Sequence, residues 1–359
     1  MKILDRYILK RFLISYVFAV FIIVLVIMVL DFVEKNDDFL QNNAPMRAIL
    51  LEYYLNLAPY WANYISPLMI FISTVFFTAQ MASHTEIVAI LSTGTSFRRL
   101  MFPYLVGSML VGLFTFAMVG WVLPKANKVR VNFENTYIKE KFYFASRDYH
   151  IAVAPQTYAY ISSYNNATKT GYDFTLEHFD GNLLTEKLSA SRIVWVDTLG
   201  KWKMHDYRIR KLGISRDQLL DGNLTKDTLI NLNPSDFEST HAVHETYTLP
   251  ELKERINLLK TRGSEGIASY EIEFYQRFAT PFAVIILSIM GLIVSARKAR
   301  GGVGLQIAVG FILAFVYILF YILSKGFAET GDMHPVFAVW LPNIVFTSIA
   351  FVMYYTVPR

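Results

Sequence analysis

Six strongly apolar stretches without a single Asp, Glu, Lys or Arg alternate with polar segments along the chain. A helix of about 20 such residues crosses the hydrocarbon core of a bilayer. In the second stretch, Pro59 and Pro67 predict an interfacial segment that leads into the crossing. The predicted crossings cover residues 12–30, 60–81, 100–124, 278–296, 301–324 and 335–358.

The polar segment between the third and fourth crossings predicts a β domain. Here β-branched and aromatic residues alternate with polar ones, and turn pairs such as Asp180-Gly181 separate them. Short strands at this spacing favour a sandwich or a jelly roll. The clearest strand patterns lie at residues 158–161, 172–176, 192–195 and 202–209.

A helix is expected to return the chain from this domain to the membrane. Thr248 and Glu251 have the spacing of a capping box, and Leu252, Ile256 and Leu259 recur at helical spacing. The predicted organisation is therefore a membrane α-helical protein with an inserted all-β, jellyroll-like domain. Its parts are helices one to three in residues 1–124, the β domain with its return helix in 125–267, and helices four to six in 268–359.

The positions of Lys and Arg predict the orientation of these helices. Short loops on one side, including Arg98 and Arg99 and the first eleven residues, carry most of the positive charge, which favours the cytoplasmic side. Both termini are then cytoplasmic, and the β domain lies on the opposite side, in the periplasm of a cell with two membranes.

Composition fits this architecture and removes several kinds of chemistry. The chain of 359 residues is 54% hydrophobic and 18% charged, with a net charge of +5 that anionic lipid headgroups explain better than nucleic acid does. It contains no cysteine, which excludes thiol chemistry, disulfides and cysteine-ligated metals.

Candidate active sites are weak. The predicted crossings carry no ionisable residue of the kind that ion-coupled transporters use, and Gly301-Gly302-Val303-Gly304 lacks the Lys and Ser or Thr of a phosphate-binding loop. His241, His244 and Glu245 do not form a zinc motif and are interpreted as a solvated loop. We therefore predict a protein that is not an enzyme and that holds no cofactor or metal of its own.

Glu273 and Arg277 stand four residues apart just before the fourth crossing. This spacing favours an ion pair that anchors the helix end, and a contact between Arg277 and an anionic lipid headgroup is the alternative.

The loop between the second and third crossings predicts a short amphipathic helix at about residues 84–94. Ser83 and Glu86 have capping-box spacing, and Gly94 suits the left-handed residue that ends a helix. Such a helix can receive motion from a soluble partner, and a simple connector at the membrane surface is the alternative. Its apolar positions are Ile87, Val88, Ile90 and Leu91.

Four short motifs, in their order and with this topology, make the chain resemble the LptF/LptG family of lipopolysaccharide-transport permeases. They are LDRYI at residues 4–8, the Ser83 to Gly94 loop, Arg277 with Pro281, and WLPN at residues 340–343. The resemblance covers essentially the whole chain, and the LDRYI sequence is slightly more similar to the LptG arm than to the LptF arm.

The resemblance implies a half-transporter that extracts lipopolysaccharide from the bacterial inner membrane. Its implied partners are a homologous second permease, a cytoplasmic LptB-like ATPase dimer that binds the ATP, and an LptC-like periplasmic jellyroll protein. It also implies that the short loop helix couples to the ATPase. The coupling candidates are Glu86, Ile87, Ile90, Leu91, Gly94 and Arg98.

Candidate lipid contacts follow from the need of an amphiphile with several acyl chains to enter sideways. We expect the first and fifth helices to line a lateral opening, and ordinary lipid-facing or helix-packing surface is the alternative. The candidates are Phe21, Leu25, Met28, Phe311, Phe315 and Ile318, with Arg47 and Arg277 as basic contacts. The chain departs from some LptG members at the outer end of the first helix, which is acidic apart from Lys35, so the basic contacts are expected elsewhere, at Arg47, Lys125, Lys128 or Arg130.

Two other classes of function remain open from the residues. A non-transporting membrane scaffold with a β domain that binds envelope proteins predicts no stable complex with an ATPase. An intramembrane enzyme acting on lipid requires polar catalytic groups within the crossings, and the sequence does not supply them.

Overall fold

The structure is a computed structural model, and it describes residues 3–138, 148–212, 218–222, 226–228, 232–237, 242–262, 266–296 and 302–355. The chain divides into two compact units. Unit 1 comprises Met1–Ile138, His244–Leu252 and Ala268–Arg359, and unit 2 comprises Lys139–Val243 and Lys253–Ile267.

Eleven α-helices occur in the described residues. They are α1 (Ile3–Gln41), α2 (Met46–Ala48), α3 (Leu55–Tyr64), α4 (Ser66–Ser83), α5 (Glu86–Ser92), α6 (Phe97–Ala117), α7 (Leu123–Tyr137), α8 (Leu249–Thr261), α9 (Ile267–Ser295), α10 (Gly302–Glu329) and α11 (Pro335–Tyr355). Two π-helical segments, Ile49–Tyr54 and Met118–Val122, join α2 to α3 and α6 to α7. Two 3₁₀ turns are Pro234–Phe237 and Val243–Thr246.

The six predicted membrane helices are confirmed, because six helical stretches are long and apolar enough to cross a bilayer. Their bounds differ from the predicted ones, since the second crossing begins at Ser66, the fourth begins at Ile267 and the fifth ends at Glu329. The first helix continues beyond residue 30 to Gln41, and the third continues beyond residue 124 to Tyr137. The charges that follow residue 30 do not end the first helix. Pro124 does not end the third, because it lies in the first turn of α7, where the missing backbone N–H costs little free energy.

Unit 1 is held together by tight helix contacts. Helix α4 contacts both α1 and α10, α1 also contacts α6, and α10 also contacts α11. Gly107 lets α6 approach α1 closely, since a Cβ at this position would lie 2.7 Å from two ring carbons of Phe12. The largest buried cluster surrounds this contact.

Polar side chains join three of the crossings and explain one of the sequence motifs. Asn343 donates to the carbonyl oxygen of Ala279 at 2.9 Å, and its Oδ1 accepts from the Tyr317 hydroxyl at 3.1 Å. Asn343 is buried, so both bonds are made away from water. The WLPN motif thus places one amide where it links α9, α10 and α11.

Unit 2 contains one antiparallel sheet of eight described strands. They are β1 (Tyr149–Ala154), β2 (Thr157–Ile161), β3 (Ser163–Asn165), β4 (Thr170–Asp180), β5 (Leu183–Val196), β6 (Lys201–Lys211), β7 (Gln218–Gly222) and β8 (Lys226–Thr228). The order is β1-β2-β4-β5-β6-β7, with β3 paired to β4 and β8 paired to β6. The sheet is open, so the predicted inserted β region is confirmed, whereas its jellyroll form stays a prediction.

One face of this sheet carries the core of unit 2. Trp202, Phe174 and Ile193 are fully buried there, and the indole N–H of Trp202 donates to the carbonyl oxygen of Leu232 at 2.7 Å. The hydrogen bond satisfies the only polar atom of a large buried side chain.

One half of the predicted capping box at the start of the return helix is present. The backbone N–H and the hydroxyl of Thr248 both donate to the Glu251 carboxylate at 2.8 Å. These bonds lower the pKa of Glu251. The helix that follows is α8.

Candidate functional site

The short helix predicted between the second and third crossings is α5, Glu86–Ser92. Its N-terminus differs from the prediction. Thr85 is the N-cap, with a φ of +61°, and its side chain makes no capping bond. Ser83 still belongs to α4 and donates backwards to the carbonyl oxygen of Gln80 at 2.8 Å. The predicted capping box of Ser83 and Glu86 is therefore wrong, because the preceding helix uses the serine hydroxyl.

The apolar residues of α5 point in two directions. Ile87 is only 1% exposed and belongs to the buried cluster that contains Ile8, Phe12 and Leu100. Ile90 and Leu91 pack against the same cluster. These three side chains therefore attach α5 to the helical unit, and they expose little surface for contact with a partner.

The outward face of α5 is small and mixed in polarity. Val88 is 55% exposed, and Ser92 is also exposed. The Glu86 carboxylate is partly exposed and lies 4.0 Å from the ring of His84. This face offers one carboxylate beside one apolar side chain, at the first turn of a helix.

The end of α5 follows the prediction. Gly94 has a φ of +82°, the left-handed conformation that glycine adopts without strain. Ser96 then caps α6 by accepting from the backbone N–H of Arg99 at 3.4 Å.

Two arginines in the first turn of α6, the helix that follows α5, bind to α1 and α11. Arg99 forms an ion pair and a hydrogen bond with Asp5 of α1, whose side chain is almost fully buried. The Nε of Arg98 donates to the hydroxyl of Tyr354 in α11 at 3.0 Å. The segment that contains α5 is thus joined to the first and the last crossings, and Asp5 accounts for the acidic position of the LDRYI motif.

The aromatic and aliphatic lipid candidates fall in three different environments. Phe21 and Leu25 of α1, and Phe311 and Phe315 of α10, are exposed on the outside of unit 1. Met28 instead packs against a buried cluster around Phe39 and Tyr53. Ile318 lines a cavity inside unit 1. Only the exposed residues therefore have the access that an opening toward lipid requires.

The two basic candidates for lipid contact, Arg47 and Arg277, also lie in different environments. Arg47 is exposed in α2, close to the end of α1. Arg277 is 2% exposed, and it donates to the Glu273 carboxylate at 2.9 Å and to the carbonyl oxygen of Tyr247 at 2.8 Å. The predicted pair of Glu273 and Arg277 is confirmed as a contact, and the burial of Arg277 favours that interpretation over a contact with a lipid headgroup.

Other basic residues, in α1 and α7, are paired with carboxylates. Lys35 lies 2.8 Å from Asp31 of the same helix. Arg130 is buried and lies 2.7 Å from Glu245 and 3.7 Å from Glu134. Arg130, one of the residues predicted to supply basic lipid contacts in place of the first helix, is therefore already paired with carboxylates inside the protein.

The His244 and Glu245 segment is not the solvated loop that the sequence predicts. Glu245 is mostly buried, and it accepts from Arg130 at 2.7 Å and from the Tyr60 hydroxyl at 3.2 Å. Burial raises the pKa of Glu245, against the opposing effect of Arg130, and burial lowers the pKa of His244. Within the part of the chain that the structure describes, no group of three His, Asp or Glu side chains could hold a metal, and His241 lies outside that part.

Sequence reasoning missed the Asp5 and Arg99 pair and the Arg130 and Glu245 pair. Both join residues that lie far apart in the chain, so no local spacing indicates them. A signal existed only for Asp5, as the single acidic residue in the first turn of an otherwise basic helix start.

Comparison with known protein families agrees with this architecture. The family model described as lipopolysaccharide export system permease LptF/LptG matches residues 6–356, which is nearly the whole chain. A search of curated individual proteins gave no match. Because the family match includes the crossings, the α5 loop and the β region together, the chain belongs to the LptF/LptG family of lipopolysaccharide export permeases.

Proposed function

We propose that this chain is one permease subunit of an ATP-driven lipopolysaccharide exporter in the bacterial inner membrane. The family assignment supports the substrate, and the construction of α5 supports the energy source. In this proposal the subunit pairs with a homologous permease and binds one subunit of a cytoplasmic ATPase dimer. Both termini are cytoplasmic, and unit 2 is periplasmic.

The observation that carries this proposal is the two-sided surface of α5. Its inner side, with Ile87 as the centre, is part of the core of the helical unit. Its outer side presents Glu86 and Val88 to a partner. A displacement of this helix by an ATPase therefore moves the cluster that joins α1, α4 and α6. A coupling helix has to transmit its displacement to the crossings in this way, and a loosely attached surface connector would not transmit that motion.

The path of the lipid follows from the exposed faces of α1 and α10. Within one chain α4 contacts both helices, so their exposed apolar faces do not form an opening by themselves. Two subunits in a pair would bring α1 of one against α10 of the other, with Phe21, Leu25, Phe311 and Phe315 along the seam. Lipid entering there would leave through the β domain, which passes the acyl chains to an LptC-like jellyroll protein.

Substitution of Glu86 tests this function. In a complete transporter reconstituted with its ATPase, we expect Glu86→Ala to reduce ATP-dependent lipopolysaccharide release about ten-fold or more, because a charge-assisted contact across the interface contributes about 1.5–3 kcal/mol. Release and ATP hydrolysis are measured together. Glu254→Ala, a change of an exposed carboxylate on α8, is the matched control.

Two results would contradict the proposal. One is full release by the Glu86→Ala transporter. The other is purification of the chain without any ATPase, under detergent conditions that keep related transporters intact, which would favour the scaffold with a β domain.

A further inference from the structure

Unit 1 contains a cavity of about 180 Å³ between helices α3, α4, α7, α9, α10 and α11, with His244 and Glu245 at one side. Space of this size holds roughly a dozen waters or the head of one amphiphile. Every described residue that lines it belongs to unit 1, so the cavity is part of one subunit. None of the four seam residues, Phe21, Leu25, Phe311 and Phe315, lines it.

The lining of this cavity is amphipathic. Part of it is apolar, with Leu68, Val119 and Val339 as examples. The other part carries tyrosine hydroxyls, amides and charged groups, among them Tyr60 and Asn127. Such a division suits a ligand that has a polar head and an apolar chain.

Three buried polar atoms on the cavity lining have no hydrogen-bond partner among the residues that the structure describes. They are the Oδ1 atoms of Asn63 and Asn127 and the hydroxyl of Tyr321. Asn127 is only 4% exposed, and its Nδ2 is already directed to the carbonyl oxygen of Glu245 at 3.4 Å. Buried polar atoms are nearly always paired, so these three point to a ligand that donates to two amide oxygens and accepts from or donates to a phenol.

The charged side chains of the lining already lie beside opposite charges of the protein. Glu245 is paired with Arg130, and Glu273 with Arg277. Lys325 lies 3.8 Å from Glu329. A cation or an anion entering here would have to compete with an existing pair, at a cost that a neutral head does not incur.

We propose that this cavity binds the uncharged, hydroxyl-bearing head of an amphiphile, such as a glycerol or sugar group, with the start of its chain against the apolar lining. Hydroxyls both donate and accept, which matches the unpartnered atoms of Asn63, Asn127 and Tyr321. The exposed ring of Tyr64 and the partly exposed Lys325 also line the cavity, so it opens at the surface on that side.

A photolabelling experiment tests this site. The full chain, in nanodiscs of phosphatidylethanolamine and phosphatidylglycerol, is irradiated with a monoacylglycerol that carries a diazirine in its acyl chain. We expect labelled peptides from α4, α11 or the Met118–Val122 segment, which carry the apolar lining. Excess unlabelled monoacylglycerol should reduce the labelling at least five-fold, and a phosphocholine detergent with the same chain should leave it unchanged.

Two variants connect the labelling to the unpartnered atoms. Tyr321→Phe removes only a hydroxyl that has no partner in the described part of the chain, so the melting temperature should stay the same, while the concentration for half-maximal labelling rises about five-fold. Asn127→Leu should raise it further. Asn56→Leu is the control on α3, because the Asn56 amide bonds only to carbonyl oxygens at positions 51 and 52 and does not line the cavity.

Three results would overturn the proposal. Labelling spread over all lipid-facing helices, without competition, would mean that the cavity holds only water. Equal competition by the phosphocholine detergent would reject the uncharged head. Unchanged labelling in both Tyr321→Phe and Asn127→Leu would reject the assignment of these atoms.

Discussion

Asp5 is a buried carboxylate in a helix that otherwise begins with basic residues, and its partner Arg99 comes from a different helix. A buried charge is strongly destabilising once its partner is removed. The pair therefore fixes the start of α6, and with it the end of the α5 segment, against α1.

We expect Arg99→Ala to lower the free energy of unfolding by about 1–3 kcal/mol, because the buried Asp5 carboxylate loses a charge-assisted hydrogen bond from a partly exposed arginine. Thermal unfolding of the purified chain in detergent measures the change. Arg98→Ala, which removes an exposed bond to Tyr354, should have a clearly smaller effect. The double variant Asp5→Asn with Arg99→Ala should recover part of the loss, and no recovery would show that the pairing is not the cause.

Sequence reasoning at this scale succeeded where partners are close in the chain. It predicted the Glu273 and Arg277 contact, the Thr248 and Glu251 cap and the conformation of Gly94. It failed at Ser83, whose hydroxyl donates to the carbonyl oxygen of Gln80 in the preceding helix, and at Glu245, whose partners Tyr60 and Arg130 are distant in the chain. Spacing does not indicate which of two neighbouring helices a serine joins, or that a loop carboxylate is buried against distant partners.

At the scale of elements, the two sides of α5 should respond differently to the same change. Ile87→Asp places a carboxylate in a buried cluster and should lower stability by about 3 kcal/mol or more. Val88→Asp changes an exposed position and should leave the melting temperature nearly unchanged, while it weakens binding of the ATPase. Melting curves and co-purification measure the two effects, and loss of folding in Val88→Asp would contradict the assignment of faces.

Among the described glycines, Gly107 leaves the least room for an added side chain. An alanine there brings its Cβ to 2.7 Å from the Phe12 ring, so Gly107→Ala should destabilise the helical unit by about 1–3 kcal/mol. Gly326→Ala is the matched control in α10, since nothing lies within 4 Å of its added Cβ. The control should be neutral or up to about 1 kcal/mol more stable. Similar losses in both variants would show that helix contact is not the reason.

The elements themselves were largely predictable, because length and hydropathy decide whether a helix can cross a bilayer. The six crossings and the inserted β region followed from those patterns. The helix extensions to Gln41 and Tyr137 did not, since polar helical residues outside the membrane look like loops in a hydropathy pattern. The inward direction of Ile87 depends on the neighbours of α5, which the sequence does not indicate.

At the scale of the whole molecule, the orientation predicted from Lys and Arg can be tested by labelling introduced cysteines. The chain has no cysteine of its own, so this labelling has no background. Single cysteines at Ser92 and at Thr168 should react with a membrane-impermeant maleimide from opposite sides. We expect Ser92→Cys to be labelled only in inside-out vesicles and Thr168→Cys only from the periplasmic side. Labelling of both from one side would reject the topology.

The attachment of α5 has a mechanical consequence for the transport cycle. Apolar packing resists separation as well as compression, so a helix embedded by Ile87, Ile90 and Leu91 transmits tension in addition to thrust. The ATPase would then act on the crossings during both halves of its cycle, when its two subunits close and again when they part. The return of the permease to its loading state would be driven by nucleotide release, and would not wait for thermal relaxation.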